Sequence, residues 1–146
     1  MNNQSVTERR QQTNKLIREL LEERGEVWMR YGRLGAMQPY GPNQTLENLV
    51  KQFCQILIDY ISLGHFGVYQ RIIDGTERRR KVIVLAEKFY PRIAEATDAA
   101  VTFNDKYERL AGDELRRNLA HDLSVLGEEL AKRFELEDSL IETMMA

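Results

Sequence analysis

Only three prolines, at positions 39, 42 and 91, interrupt a chain of 146 residues, and between them apolar residues recur at three- and four-residue steps. That spacing follows the turn of an α-helix, not the two-residue alternation of a strand, so the chain reads as all-α. In the first segment Thr7 is a candidate N-cap for a helix reaching Leu34, with Leu16, Leu20, Val27, Trp28, Tyr31 and Leu34 on its apolar side. Gly25 and Gly32 each cost this helix about 1 kcal/mol relative to alanine, and its last turns are expected to bend or fray.

The stretch from Gly35 to Gln44 holds Pro39, Pro42, Gly35 and Gly41 and is the clearest loop. Thr45 then caps a second helix carrying Leu46, Leu49, Val50, Phe53, Leu57, Tyr60 and Ile61. Gly64 ends or kinks it before a short helical piece reaching Ile73, and Asp74-Gly75-Thr76 is the next turn. In the third helical region, Glu77 to Leu110, Pro91 lacks an N–H and predicts a kink or two abutting helices. After Gly112-Asp113 a last helix carries one stripe: Leu115, Leu119, Leu123, Leu126, Leu130, Phe134, Ile141 and Met144. Such segments joined by short turns make an antiparallel up-down four-helix bundle with short extra helices, expected to occupy residues 1–146 as a single domain.

Charge and cysteine usage narrow the function classes. Lys and Arg total 21 against 23 Asp and Glu, a near balance that argues against wholesale coating of nucleic acid or adsorption to a membrane. The single cysteine, Cys54, cannot form an internal disulfide, and the N-terminus lacks the apolar core of a signal peptide. The longest unbroken apolar run, Val82 to Ala86, is far short of the ~20 residues of a membrane span. The expected location is the cytoplasm.

Few residues offer chemistry. Between Gln52 and Gln70 the only formally charged residue is Asp59, within Ile56-Leu57-Ile58-Asp59-Tyr60-Ile61. It is either a core carboxylate held by a partner or an exposed anchor in an apolar binding patch. Glu137 falls on the last helix's stripe with Arg133 beside it, which predicts a polar layer inside the bundle, and His65 is a natural neutral partner for a carboxylate. A di-metal site would need Glu-x-x-His pairs, but Asn118 precedes His121 and Ser62 precedes His65 at that spacing. Cys54 sits in an apolar run without a neighbouring His, and no Gly-rich phosphate loop occurs; neither a catalytic residue nor a cofactor is expected. The run Arg78-Arg79-Arg80-Lys81 leaves residues 71–92 at +4, whereas residues 134–146 hold four acidic residues and no basic one. Four cations at a helix N-terminus oppose its dipole, so they are either a solvated helix start or a face for an acidic partner surface.

The segment from Phe53 to Ile72, FCQILIDYISLGHFGVYQRI, closely resembles the central motif of the Rsd/AlgQ family, bacterial regulators that bind the primary sigma factor. Asn14-Lys15-Leu16, Tyr90-Pro91-Arg92 and the run from Arg133 to Ile141 are also similar and stand in the expected order. The resemblance implies a helical bundle, not an enzyme, that binds the C-terminal promoter-recognition domain of the primary sigma factor and reduces its use by core RNA polymerase. By the same resemblance Leu16 and Asp59 contact sigma, with Tyr60, His65, Phe66 and Tyr69 lining or supporting that surface; Arg133, Glu137 and Asp138 are expected as polar core or support. Gln70 replaces the family's usual Glu, and Leu20 stands where relatives often carry Trp. Two competing readings are a metal- or small-molecule-binding bundle built on Asp59, His65 and Glu137, and direct DNA binding through Arg78 to Lys81. Exposed apolar anchors would also allow a weak homodimer.

Overall fold

The computed structural model describes residues 3–42, 44–65, 69–70 and 77–145, with side chains from residue 7 onward. Among these residues the architecture is four helices: α1 (Asn3–Ala36), α2 (Gln44–Gly64), α3 (Arg80–Arg109) and α4 (Gly112–Met145). Helix α1 packs on α2, α2 on α3, α3 on α4, and α4 back on α1. Neighbours in the chain are neighbours in space, which gives the expected all-α, up-down four-helix bundle.

The apolar stripes close on one core. Helix α1 contributes Ile17, Leu20, Val27 and Leu34; α2 contributes Leu46, Val50, Phe53, Leu57 and Tyr60; α3 and α4 meet them with Ile93, Phe103, Leu119 and Leu130 among others. The α4 stripe is buried from Leu115 to Met144, with Phe134 and Ile141 half-buried. The loop after α1 is closed by the Tyr40 hydroxyl, which donates to the Leu34 carbonyl at 2.8 Å.

Several local expectations are corrected. Helix α1 starts at Asn3, ahead of the Thr7 cap, and runs past Leu34 without breaking at Gly25 or Gly32. Both glycines face open space, and burial of the α1 stripe outweighs a propensity cost of about 1 kcal/mol each. Helix α3 does not divide into two: it is one helix through Pro91, whose ring is exposed while Val82 and Ala86 before it and Ile93 and Ala96 after it share the core. Trp28 is not in the core but 49% exposed, stacked on Tyr31 at 5.2 Å and meeting Phe134 edge-on at 5.7 Å. The turn expected at Asp74-Gly75-Thr76 and most of the helical piece before it lie outside the described residues.

Two glycines are dictated by geometry. Gly112 has φ +56°, the left-handed region that costs other residues strain, and its N–H donates to Glu47 Oε1 at 2.7 Å, tying the α3–α4 turn to α2. Gly127 admits Tyr31, whose hydroxyl donates to the Leu123 carbonyl at 2.8 Å; a Cβ on Gly127 would collide with the Tyr31 hydroxyl. The basic run is also resolved at one position. Arg79 pairs with Glu77 at 3.0 Å and donates to the Met144 carbonyl, setting a cation against the C-terminal end of α4, while Arg78, Arg80 and Lys81 remain exposed.

Candidate functional site

The side chains of interest gather where α2 ends. Tyr60, on its inward face, is 0% exposed, and Arg133 and Glu137, one turn apart on α4, are each 1% exposed. The Tyr60 hydroxyl donates to Glu137 Oε1, and Arg133 Nε donates to Glu137 Oε2 at 3.1 Å. Arg133 Nη1 donates to Thr97 Oγ1 on α3 at 2.7 Å. From α1, Arg24 lies 3.7 Å from Glu137 Oε1 and 2.7 Å from Asp138 Oδ1, and its guanidinium sits 5.3 Å from the Phe134 ring. Side chains from α1, α2 and α4 thus meet at one carboxylate, and α3 is tied to it through Arg133.

The electrostatics follow from burial. Desolvation pushes the Tyr60 phenol far above its usual range, and the Glu137 carboxylate adds to this, so the hydroxyl stays a donor. Burial works against the charge on Arg133, but Glu137 more than offsets it and holds the guanidinium protonated. Its plane covers the Tyr60 ring at 5.1 Å and the Tyr69 ring at 5.9 Å. Burial likewise raises the Tyr69 phenol, whose hydroxyl has no hydrogen-bond partner among the described residues. A Cβ on Gly64 would lie 2.8 Å from Arg133 Nη2, so the end of α2 rests directly on the guanidinium.

Asp59 faces the other way. It is exposed, not a core carboxylate, with Ile56, Ser62 and Leu63 half-buried at the helical spacings that share its face. Leu16 is half-buried on α1, one turn before Leu20, whose Cδ1 lies 3.5 Å from the Gly64 Cβ position, so Leu16 stands at the same end of the bundle. His65 is half-buried. Tyr60 and Tyr69, expected to line or support the partner-facing surface, are buried, which leaves only the supporting place open to them. Asp138, expected as polar core or support, holds Arg24 from the rim with a 60% exposed side chain. Phe66 lies outside the described residues.

Sequence reasoning identified Arg133 and Glu137 but missed Arg24 and Thr97. Arg24 was one of many charges on α1. Thr97 had a faint signal, a hydroxyl among Ala94, Ala96, Ala99 and Ala100 on α3. Asp59, His65 and Glu137 do not converge, and among the described residues no group of three His, Cys, Asp or Glu could hold a metal ion. Among the same residues no helix is long and apolar enough to cross a membrane.

The family model described as "Regulator of RNA polymerase sigma(70) subunit, Rsd/AlgQ" matches residues 1–145. The chain belongs to the Rsd/AlgQ family. This Rsd/AlgQ chain is 34% identical over 143 residues to the "Regulator of sigma D" of Yersinia enterocolitica, covering 95% of this chain and 86% of that protein. It is 33% identical to the proteins of the same name from Yersinia pseudotuberculosis, covering 95% of this chain and 85% of the relative, and from Shigella dysenteriae, covering 94% and 88%. No solved structure matches the chain.

Proposed function

We propose that this Rsd/AlgQ chain regulates transcription by binding the C-terminal promoter-recognition domain of the primary sigma factor and reducing its use by core RNA polymerase. Asp59 carries the reading: an exposed carboxylate, the only formal charge between Gln52 and Gln70, framed by the half-buried Ile56 and Leu63. The target domain binds promoter DNA through a helix-turn-helix with basic residues, and a carboxylate within an apolar frame suits such a surface in charge and in shape. Leu16 adds an apolar contact and His65 a polar one, while Tyr60 and Tyr69 support the surface from beneath. The whole chain acts as a single domain in the cytoplasm, without direct contact to DNA.

Isothermal titration with the isolated C-terminal sigma domain tests the reading. Saturable one-to-one binding is expected, and Asp59→Ala should weaken it by more than about 1 kcal/mol without changing the melting temperature, since its side chain is exposed. Absence of binding between two folded partners, or unchanged affinity in the variant, would refute the assignment.

A further inference from the structure

Asp59 and Tyr60 are consecutive on α2 and lie on different faces of the helix. One is exposed; the other is 0% exposed, with its hydroxyl on Glu137. Consecutive helical residues are separated by about 100° of rotation, so any turn of α2 that lifts Tyr60 from Glu137 swings Asp59 by the same angle. Glu137 is itself pinned by Arg133, which Thr97 anchors to α3. The Arg133 guanidinium also spans the chain on both sides of the α2 end, over the Tyr60 and Tyr69 rings and against the backbone at Gly64. An apolar core would hold α2 by area alone, which tolerates small rotations; a hydrogen-bonded phenol does not.

We infer that Tyr60, Glu137 and Arg133 are positioning residues that lock the rotation of the last turns of α2 and so aim Asp59 at the partner. The inference rests on Asp59 being a contact to the sigma C-terminal domain. A second buried phenol supplies the control: the Tyr107 hydroxyl donates to Asp122 at 2.7 Å, near the α3–α4 turn at the far end of the bundle. Both Tyr60→Phe and Tyr107→Phe remove one hydroxyl from a carboxylate, but only the first lies beneath Asp59.

The experiment is titration of the full chain with the sigma C-terminal domain well below the melting temperature of every variant, so that all molecules are folded. Tyr60→Phe should weaken binding roughly five- to tenfold, the scale of coupling between neighbouring groups, and Tyr107→Phe should leave it unchanged. The double variant Asp59→Ala/Tyr60→Phe should bind no more weakly than Asp59→Ala alone, a non-additivity that a merely structural role does not produce. Wild-type affinity in Tyr60→Phe, equal losses in the two phenol variants, or additive losses in the double variant would overturn the inference and leave the partner assignment standing. If the wild-type chain itself does not bind, both fall. Should Tyr60→Phe fail to fold, Thr97→Val, which removes the acceptor of Arg133 Nη1, replaces it under the same criteria.

Discussion

Replacing Glu137 by Leu is the perturbation that most directly measures what the buried network contributes. The substitution leaves Arg133, 1% exposed, as a buried cation whose one remaining hydrogen bond among the described residues is to the Thr97 hydroxyl at 2.7 Å. It also deprives the Tyr60 hydroxyl of its acceptor, whereas Arg24 keeps Asp138 at 2.7 Å. Breaking a buried pair by removing one partner costs about 3–5 kcal/mol, with the stranded charge as the main part. For 146 residues that corresponds to a melting temperature lower by about 10–15 °C. The assay is urea unfolding followed by circular dichroism, paired with calorimetry. The triple variant Tyr60→Phe/Arg133→Met/Glu137→Leu removes every group that the single change strands, and Thr97 keeps its own bond to the Ile93 carbonyl at 3.0 Å. It should recover most of the loss or exceed wild type, since hydrophobic replacement of a buried pair is often neutral or stabilising. A single-variant loss below about 1 kcal/mol, or a triple variant no better than the single, would refute the claim that an uncompensated charge sets the cost.

Other positions give sharper local tests. Burial pushes the Cys54 thiol up to about 12, so a thiol reagent at pH 8 should label it only at the rate of unfolding, with labelling of the native protein at the rate of a free thiol as the contrary result. At Asp122 burial opposes the charge, but hydrogen bonds from Lys106 and Tyr107 leave the folded carboxyl below its ordinary value of 3.8. Its contribution is therefore complete above pH 3.8 and lost as pH falls through the lower folded value, and Asp122→Asn should flatten the stability profile in that acid window when unfolding is followed against pH. Gly25→Ala, with nothing within 4 Å of the new methyl, should stabilise the protein by up to about 1 kcal/mol. Gly127→Ala must displace Tyr31 and should destabilise by about 1–3 kcal/mol, both read by chemical denaturation.

Helix α4 was the most legible part of the chain because its stripe never deviates, and Arg133 and Glu137 stood out as an i, i+4 ion pair on apolar ground. Helix α1 was less legible. Over 34 residues a 3.6-residue period drifts relative to a fixed face, and Trp28 and Tyr31, which continue the stripe on paper, rotate into the α1–α4 groove beside Phe134. The partners of Glu137 were invisible for a different reason. Arg24 and Tyr60 are 113 and 77 positions away from it in sequence, and Thr97, which anchors its partner Arg133, is 40 away; only packing brings them together. Pro91 shows the same limit in reverse, since a strong local signal against continuity is overridden by apolar residues on both sides that need one common core.

Asp59 was ambiguous because its neighbours in sequence are all apolar, which suggested burial on both faces. The structure separates them: Leu57, Tyr60 and Ile61 are buried, while Ile56 and Ile58 are only half-covered, so the run is a core edge and an apolar outer rim carried by the same turns. A rim of that kind costs solubility unless a charge interrupts it, and Asp59 is that charge. In the proposed reading this rim takes the partner, and it then requires a rigid backing, or the half-buried isoleucines would settle further inward and the carboxylate would lose its direction. A buried ion pair is a poor source of net stability but a good source of uniqueness, because only one rotation of α2 satisfies Tyr60, Glu137 and Arg133 together. That trade suits the binding surface proposed for this helix end, where charge is buried behind an apolar outer rim.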